Sequence, residues 1–144
     1  MDMMPSPIIP VFVVGLGRSG TTLAQSLVGS HPNVLTFPET SFLCYVFGNY
    51  SEHELGETRY QSLKRKLRVA LGRTSRGASL RMEETLRALN VPLDRNPIRR
   101  GYAPARKSVR DWAGVLDKIC IERGCSVWLE KTPMHIGYIV TARL

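Results

Sequence analysis

Two hydrophobic rhythms alternate along this chain. The first is short, continuous and rich in β-branched or aromatic residues. It covers Ile8 to Val14 (broken only by Pro10), Val34-Leu35-Thr36-Phe37 and Ser126-Val127-Trp128-Leu129. Runs of that length, apolar on both sides, read as buried parallel strands. The second rhythm is helical. Leu23 and Leu27 stand four apart in Thr21 to Val28; Met82, Leu86 and Leu89 mark a helix over Ser79 to Leu89. Val109, Trp112, Ala113, Leu116, Ile119 and Cys120 form a stripe over Val109 to Arg123, which makes Trp112 a core residue. Ser41 to Tyr50 reads as an apolar packing helix, and Met134 to Leu144 as a final helix. A basic amphipathic helix is expected from about Glu57 to Leu71, with Tyr60, Leu63, Leu67, Ala70 and Leu71 on one face and Lys64, Arg65, Lys66 and Arg68 beside it. Strands alternating with helices imply an α/β fold with a parallel sheet of about three strands.

The breaks agree with that division. Gly29-Ser30-His31-Pro32-Asn33 is a turn, and His31, just before a proline at a helix end, reads as a capping or packing residue. Ser51-Glu52-His53-Glu54 is a polar break, Gly72 to Ala78 a loop, and Asn90 to Lys107 a linker rich in Pro and Arg. Ser108 is expected to cap the long helix, with Asp111 completing a capping box and Gly124 ending it. The chain reads as one domain over residues 1–144, with a helical insertion at about 51–125 between the second and third strands.

Composition narrows the class. At 144 residues, 43% hydrophobic and 22% charged, the chain can bury a core and is not disordered by composition. A net charge of +8 points to an anionic partner. No zinc-finger spacing or aromatic RNA-binding signature accompanies the basic residues, so a multiply charged nucleotide, with an acidic acceptor, is preferred to nucleic acid. Cys44, Cys120 and Cys125 contain no C-x-x-C pair and read as reduced thiols. The N-terminal apolar run is far shorter than the roughly 20 residues that span a bilayer. It also lacks the basic leader of a signal peptide, so a cytoplasmic location is expected.

The candidate chemistry lies where the first strand meets the first helix, in Gly15-Leu16-Gly17-Arg18-Ser19-Gly20-Thr21-Thr22-Leu23. Glycines allow close backbone approach, and the helix start offers unpaired N–H groups and a positive dipole end, so strand–glycine turn–helix makes a phosphate cradle. Three patterns compete for it. Gly15 and Gly20 have the spacing of a Walker loop, but Thr21 stands where its lysine is expected. Gly15, Gly17 and Gly20 satisfy G-x-G-x-x-G, with Glu39 near the position of a ribose-binding acid. The third reading uses more residues: Arg18-Ser19-Gly20-Thr21-Thr22-Leu23 resembles the loop with which sulfotransferases hold the 5′-phosphosulfate of 3′-phosphoadenosine 5′-phosphosulfate (PAPS).

The resemblance continues along the chain. A Ser-His-Pro turn, a short strand and Glu39-Thr40 look like the corresponding segment of the tyrosylprotein, heparan sulfate and bacterial-type enzymes. Glu39 falls where that family places its catalytic glutamate. The tyrosylprotein type has an arginine after Glu-Thr; here the residue is Ser41. Strand-Glu130-Lys131-Thr132-Pro133 is the second match, and its lysine is expected to point into the active site.

The resemblance implies a P-loop-like three-layer α/β/α domain and sulfuryl transfer from PAPS to a hydroxyl or amine. It assigns Glu39 as base, Arg18 and Lys131 as charge-stabilising groups, and Gly17, Arg18, Ser19, Gly20, Thr21 and Thr22 as the donor cradle. It requires no metal. It also implies that the sheet is truncated at the C-terminus, because the family continues with a strand and an Arg…Ser element for the 3′-phosphate. Without that strand, Ile8 to Val14 is expected to be an exposed edge through which the chain self-associates.

Overall fold

The computed structural model describes residues 7–47, 59–74, 76–98 and 103–138. The strands are β1 (Ile9–Val13), β2 (Val34–Phe37) and β3 (Val127–Lys131). The helices are α1 (Thr21–Gly29), α2 (Phe42–Phe47), α3 (Arg59–Ala70), α4 (Arg76–Ala88) and α5 (Ala105–Glu122). Short 3₁₀ turns occupy Leu93–Arg95 and Pro133–Gly137.

All three strands are parallel, in the order β1-β3-β2. The register sets Val13 opposite Lys131, and both Phe12 and Phe37 opposite Glu130. Because side chains alternate along a strand, the register sorts the sheet into two faces. Ile8, Phe12, Leu35, Phe37 and Trp128 join the main core with α2, α4 and α5. Glu130, two residues after Trp128, lies on that same face. Leu129 and Lys131 belong to the other, which α1 covers. There α1 approaches β2 so closely that a Cβ on Gly29 would collide with Thr36 Cγ2. Helices on both faces of a parallel sheet make the α/β architecture expected from the alternating pattern.

The core is built around aromatic rings. Trp112 stacks on Phe42 at 4.9 Å and 12°, and meets Trp128 edge-on at 5.9 Å and 74°. Trp128 donates its indole N–H to Asp117 Oδ1 at 2.7 Å, which satisfies its polar end. Met82, Leu86 and Leu89 of the α4 segment are buried, as are Val109, Trp112, Leu116, Ile119 and Cys120 of α5, while Ala113 is partly buried.

Several boundaries differ from expectation. α5 starts at Ala105, one turn before Ser108, and no side chain caps it. Ser108 is instead a buried helical residue whose hydroxyl lies 2.5 Å from that of Thr74. Ala105 N–H donates to Gly72 C=O at 2.8 Å and Thr74 N–H to Ala103 C=O at 3.0 Å. This pairing with an upstream loop holds the first turn of α5, so a tertiary contact replaces the local cap. Asp111 is no capping-box acid; it accepts from Lys107 Nζ one turn back at 2.6 Å.

The other end of α5 follows expectation. Gly124 has φ +72°, with Gly124 N–H bonded to Ile121 C=O and Cys125 N–H to Cys120 C=O. That bond pair is the Schellman motif.

β3 runs on through Glu130 and Lys131, and the segment from Pro133 begins as a 3₁₀ turn rather than an α-helix. α4 starts at Arg76, inside the expected loop. The apolar residues Tyr60, Leu63, Leu67 and Leu71 of the basic helix are exposed. Ser51 to Glu54 and the end of the predicted final helix lie outside the described residues.

Candidate active site

The C-terminal ends of the three strands gather the candidate residues at one edge of the sheet, where open parallel sheets place their ligands. β1 leads into the glycine turn. Gly15 N–H donates to Pro133 C=O at 3.3 Å, tying the turn to the end of β3. A Cβ on Gly15 would sit 2.8 Å from Ser19 Oγ and 3.2 Å from Thr21 Cγ2, so a larger residue there would have to displace those side chains. Arg18 has φ +60° and Gly20 φ +81°, both in the left-handed region. Gly20 is the N-cap of α1 and brings no side chain to cap it.

The first helical bond of α1 joins Ala24 N–H to Gly20 C=O at 3.0 Å. The N–H groups of Thr21, Thr22 and Leu23 therefore lack intrahelical acceptors, and they face the loop as helix-start donors. Ser19 N–H is used within the turn, bonding Leu16 C=O at 3.2 Å. Residues from Leu16 to Gly20 are exposed. An uncapped helix start, a left-handed glycine and a cationic neighbour form a concavity suited to an anion.

Lys131 and Glu39 meet. Lys131 Nζ donates to Glu39 Oε2 at 2.7 Å, with the lysine side chain 12% exposed and the glutamate 47%. Gln25 of α1 fixes the strand end just before Glu39 by donating to Phe37 C=O at 2.9 Å. Arg18 stays outside this ion pair. Among the described residues its side chain makes no hydrogen bond or ion pair.

Behind the pair, on the core face, lies a second charged group. Glu130 is fully buried. Its Oε1 accepts from Thr40 N–H at 3.0 Å, from the Thr40 hydroxyl at 2.8 Å and from the Thr132 hydroxyl. Its Oε2 lies 3.0 Å from His135 Nδ1. Burial alone would push the carboxyl upward. The adjacent His135 ring, then the Thr132 hydroxyl and Thr40 N–H, outweigh burial and hold Glu130 below the ordinary carboxylate range. His135 Nε2 accepts Leu43 N–H at 3.1 Å, which leaves Nδ1 as the ring nitrogen available to carry a proton.

Of Glu130-Lys131-Thr132-Pro133, Lys131 alone carries a role legible in the sequence, and His135 carries none there. A carboxylate directly after Trp128-Leu129 in a buried strand was the available signal, because such a charge needs several donors. His31 is local: its Nδ1 accepts Asn33 N–H at 3.1 Å, which fits a turn-stabilising role.

Comparison with curated proteins returned no match, and comparison with solved structures returned none either. The family model described as "Sulfotransferase family" does match, over residues 10–142. That span takes in the glycine turn, Glu39 and Lys131, and it covers most of the sequence. The chain belongs to the sulfotransferase family.

Proposed function

We propose that this chain carries the 5′-phosphosulfate-binding and proton-transfer part of a PAPS-dependent sulfotransferase. The observation that carries the reading is the Lys131–Glu39 contact of 2.7 Å at the sheet edge that also holds the uncapped start of α1. The residues present suit an anionic donor. Gly20 leaves the helix start open, Gly15 keeps the turn tight, and Arg18 adds a cation that is unpaired among the described residues.

PAPS, when bound, supplies the sulfuryl group. The N–H groups from Thr21 to Leu23 and the hydroxyls of Ser19, Thr21 and Thr22 would hold its 5′-phosphosulfate. Glu39, partly exposed, takes the proton of the acceptor hydroxyl or amine as that atom bonds to sulfur. The bond between sulfur and the phosphate oxygen breaks, and 3′,5′-diphosphoadenosine leaves with the electron pair. Lys131 and Arg18 offset the negative charge that grows on the sulfuryl and leaving oxygens. In the ground state Lys131 also orients Glu39, so one ammonium both aims the base and faces the reacting group. The anionic donor accounts for the sign of the +8 charge.

The test is calorimetric titration with 3′,5′-diphosphoadenosine, paired with transfer of radiolabelled sulfate from PAPS to a panel of sugars, phenols and amines. Binding plus transfer supports the reading. Binding without transfer to any acceptor would make the chain a phosphate-binding relative that keeps the cradle alone. Absence of both would overturn the reading.

A further inference from the structure

We propose that Glu130 and His135, acting through Thr40 and Thr132, are positioning residues that hold the Glu39–Lys131 pair in register; the catalytic part of this inference rests on the function proposed above. The geometry is a stitch between two tripeptides. Glu39-Thr40-Ser41 follows β2, and Glu130-Lys131-Thr132 ends β3. Glu39 meets Lys131 on one face at 2.7 Å. On the other face Thr40 donates twice to Glu130, and Ser41 N–H donates to Thr132 Oγ1 at 3.0 Å. The exposed ion pair and the buried network thus share the same two backbone segments, one residue apart.

The network also accounts for the start of α2. A helix start leaves its first N–H groups without acceptors, and here Phe42 and Leu43 are fully buried, away from water. Each N–H finds a side chain of this cluster: Ser41 bonds Thr132, Phe42 bonds Thr40 Oγ1 at 3.2 Å, and Leu43 bonds His135 Nε2. Thr40 and Thr132 donate to Glu130, and His135 Nδ1 lies 3.0 Å from its other oxygen, so one buried carboxylate stands behind every acceptor at the helix start. The cluster also holds Ser41 at φ +50°, a left-handed conformation that a non-glycine residue adopts only when its surroundings impose it. That bend sets the direction in which the chain leaves Glu39.

The chemistry of the relay is directional. His135 can accept from Leu43 N–H only while its proton sits on Nδ1, facing Glu130. A neutral amide at position 130 would present either a carbonyl oxygen or an NH₂ group to Nδ1, not both acceptor edges that the carboxylate offers to its donors. Three donated hydrogen bonds, from Thr40 N–H and the Thr40 and Thr132 hydroxyls, converge on Glu130 Oε1, with His135 Nδ1 3.0 Å from Oε2, a setting that suits an ionised carboxylate.

Thr132→Val removes one donor to Glu130 and the acceptor of Ser41 N–H while keeping side-chain volume; Thr132→Ser keeps the hydroxyl. Thr40→Val and Thr40→Ser form a second pair, for use if Thr132→Val fails to fold. In the full 144-residue chain, the valine variant is expected to lower sulfuryl-transfer turnover by about 10- to 100-fold, the scale of a small misplacement of reacting groups. Affinity for 3′,5′-diphosphoadenosine should stay within about 2-fold, because the cradle is untouched, and the serine variant should regain turnover.

Nitrogen-15 spectra of the histidine ring and amide exchange at Ser41 and Leu43 are read in parallel. The expected results are a proton on His135 Nδ1 and slow exchange that Thr132→Val accelerates and Thr132→Ser restores. A wild-type ring protonated on Nε2 overturns the relay, as does valine-variant turnover equal to wild type or an equal loss of nucleotide affinity. If the wild-type chain neither binds the nucleotide nor transfers sulfate, the functional reading fails by itself. The tautomer and exchange results then decide whether the buried stitch exists.

Discussion

Thr40 donates to buried Glu130 from both its N–H and its hydroxyl, at 3.0 and 2.8 Å, while the residues beside them, Glu39 and Lys131, form an ion pair at 2.7 Å on the opposite face of the sheet. Two parallel strand ends are thereby joined twice. One junction is dry and structural; the other is partly exposed and available for chemistry.

The division of labour within the exposed pair gives the first prediction. Glu39→Gln removes the proton acceptor while leaving the helix start and Arg18 in place. Turnover should fall by about 10²- to 10⁴-fold, the usual contribution of a general base, with nucleotide affinity little changed. Lys131→Ala should also lower turnover steeply. The double variant should be little worse than the more damaging single one, because the two side chains act as a unit. Initial-rate assays with PAPS beside calorimetric titrations check this; additive losses would show that the two groups act separately.

The cradle gives the second. Gly20 has φ +81°, so Gly20→Ala places a Cβ in a conformation that costs roughly 1–2 kcal/mol for an L-residue. At Gly15 the backbone is ordinary, but a Cβ would stand 2.8 Å from Ser19 Oγ and 3.2 Å from Thr21 Cγ2. Gly15→Ala should therefore move Ser19 and Thr21, two cradle residues, and weaken 3′,5′-diphosphoadenosine binding more than it lowers the melting temperature. Gly17, with no atom within 4 Å of a built Cβ, serves as the control. Equal effects at Gly15 and Gly17 would contradict the close-approach argument.

What was legible in the sequence had local causes. The three strands, the glycine turn and α1 are continuous patterns, and Val34–Phe37 coincides with its predicted strand. The proximity of Glu39 and Lys131 followed from two residues placed at the C-terminal ends of neighbouring parallel strands. What was not legible depends on partners far along the chain. Ser108 has the chemistry of an N-cap, but its hydroxyl is taken by Thr74, 34 positions earlier, and the helix starts a turn sooner. His135 sat near the start of what read as the final helix, and its importance comes from Leu43, 92 positions away. The exposed apolar residues of α3 show the converse: helical periodicity defines a face without saying what covers it.

The buried carboxylate makes stability depend on acid in a definite direction. Glu130 is held below its ordinary range in the folded state by His135, Thr132 and Thr40, against the opposing effect of burial. A carboxyl depressed by folding contributes stability that is fully present above its unfolded value of about 4.3 and is lost as pH falls through its lower folded value. His135 is a titratable side chain set directly beside it, with Nδ1 3.0 Å from Oε2. Melting temperature followed by near-ultraviolet circular dichroism should thus fall steeply only below about pH 4. Glu130→Gln should start less stable at neutral pH and lose less between pH 5 and 3. A variant that keeps the full acid dependence would assign that dependence to other carboxylates.

The last prediction concerns association. β1 pairs with β3 on one side, and its other edge is unpaired among the described residues. The strand reads Ile9-Pro10-Val11-Phe12-Val13, without a charge to discourage pairing, and Pro10 alone removes a donor. α1 beside it buries none of its residues: Leu23 is 65% exposed and Leu27 67%. An open strand edge next to an apolar helix face offers another copy both hydrogen-bonding groups and hydrophobic surface. The 144-residue chain should therefore sediment as dimers or larger species in a concentration-dependent manner. Ile9→Lys, at an exposed edge position, and Leu27→Lys, on the helix face, should each shift it toward monomer, because the first charges the edge and the second the adjoining surface. A wild-type monomer with cooperative unfolding at every concentration tested would show that this edge and face are stable in water as they stand. Association unaffected by either lysine would direct the search to the other exposed apolar face, that of α3.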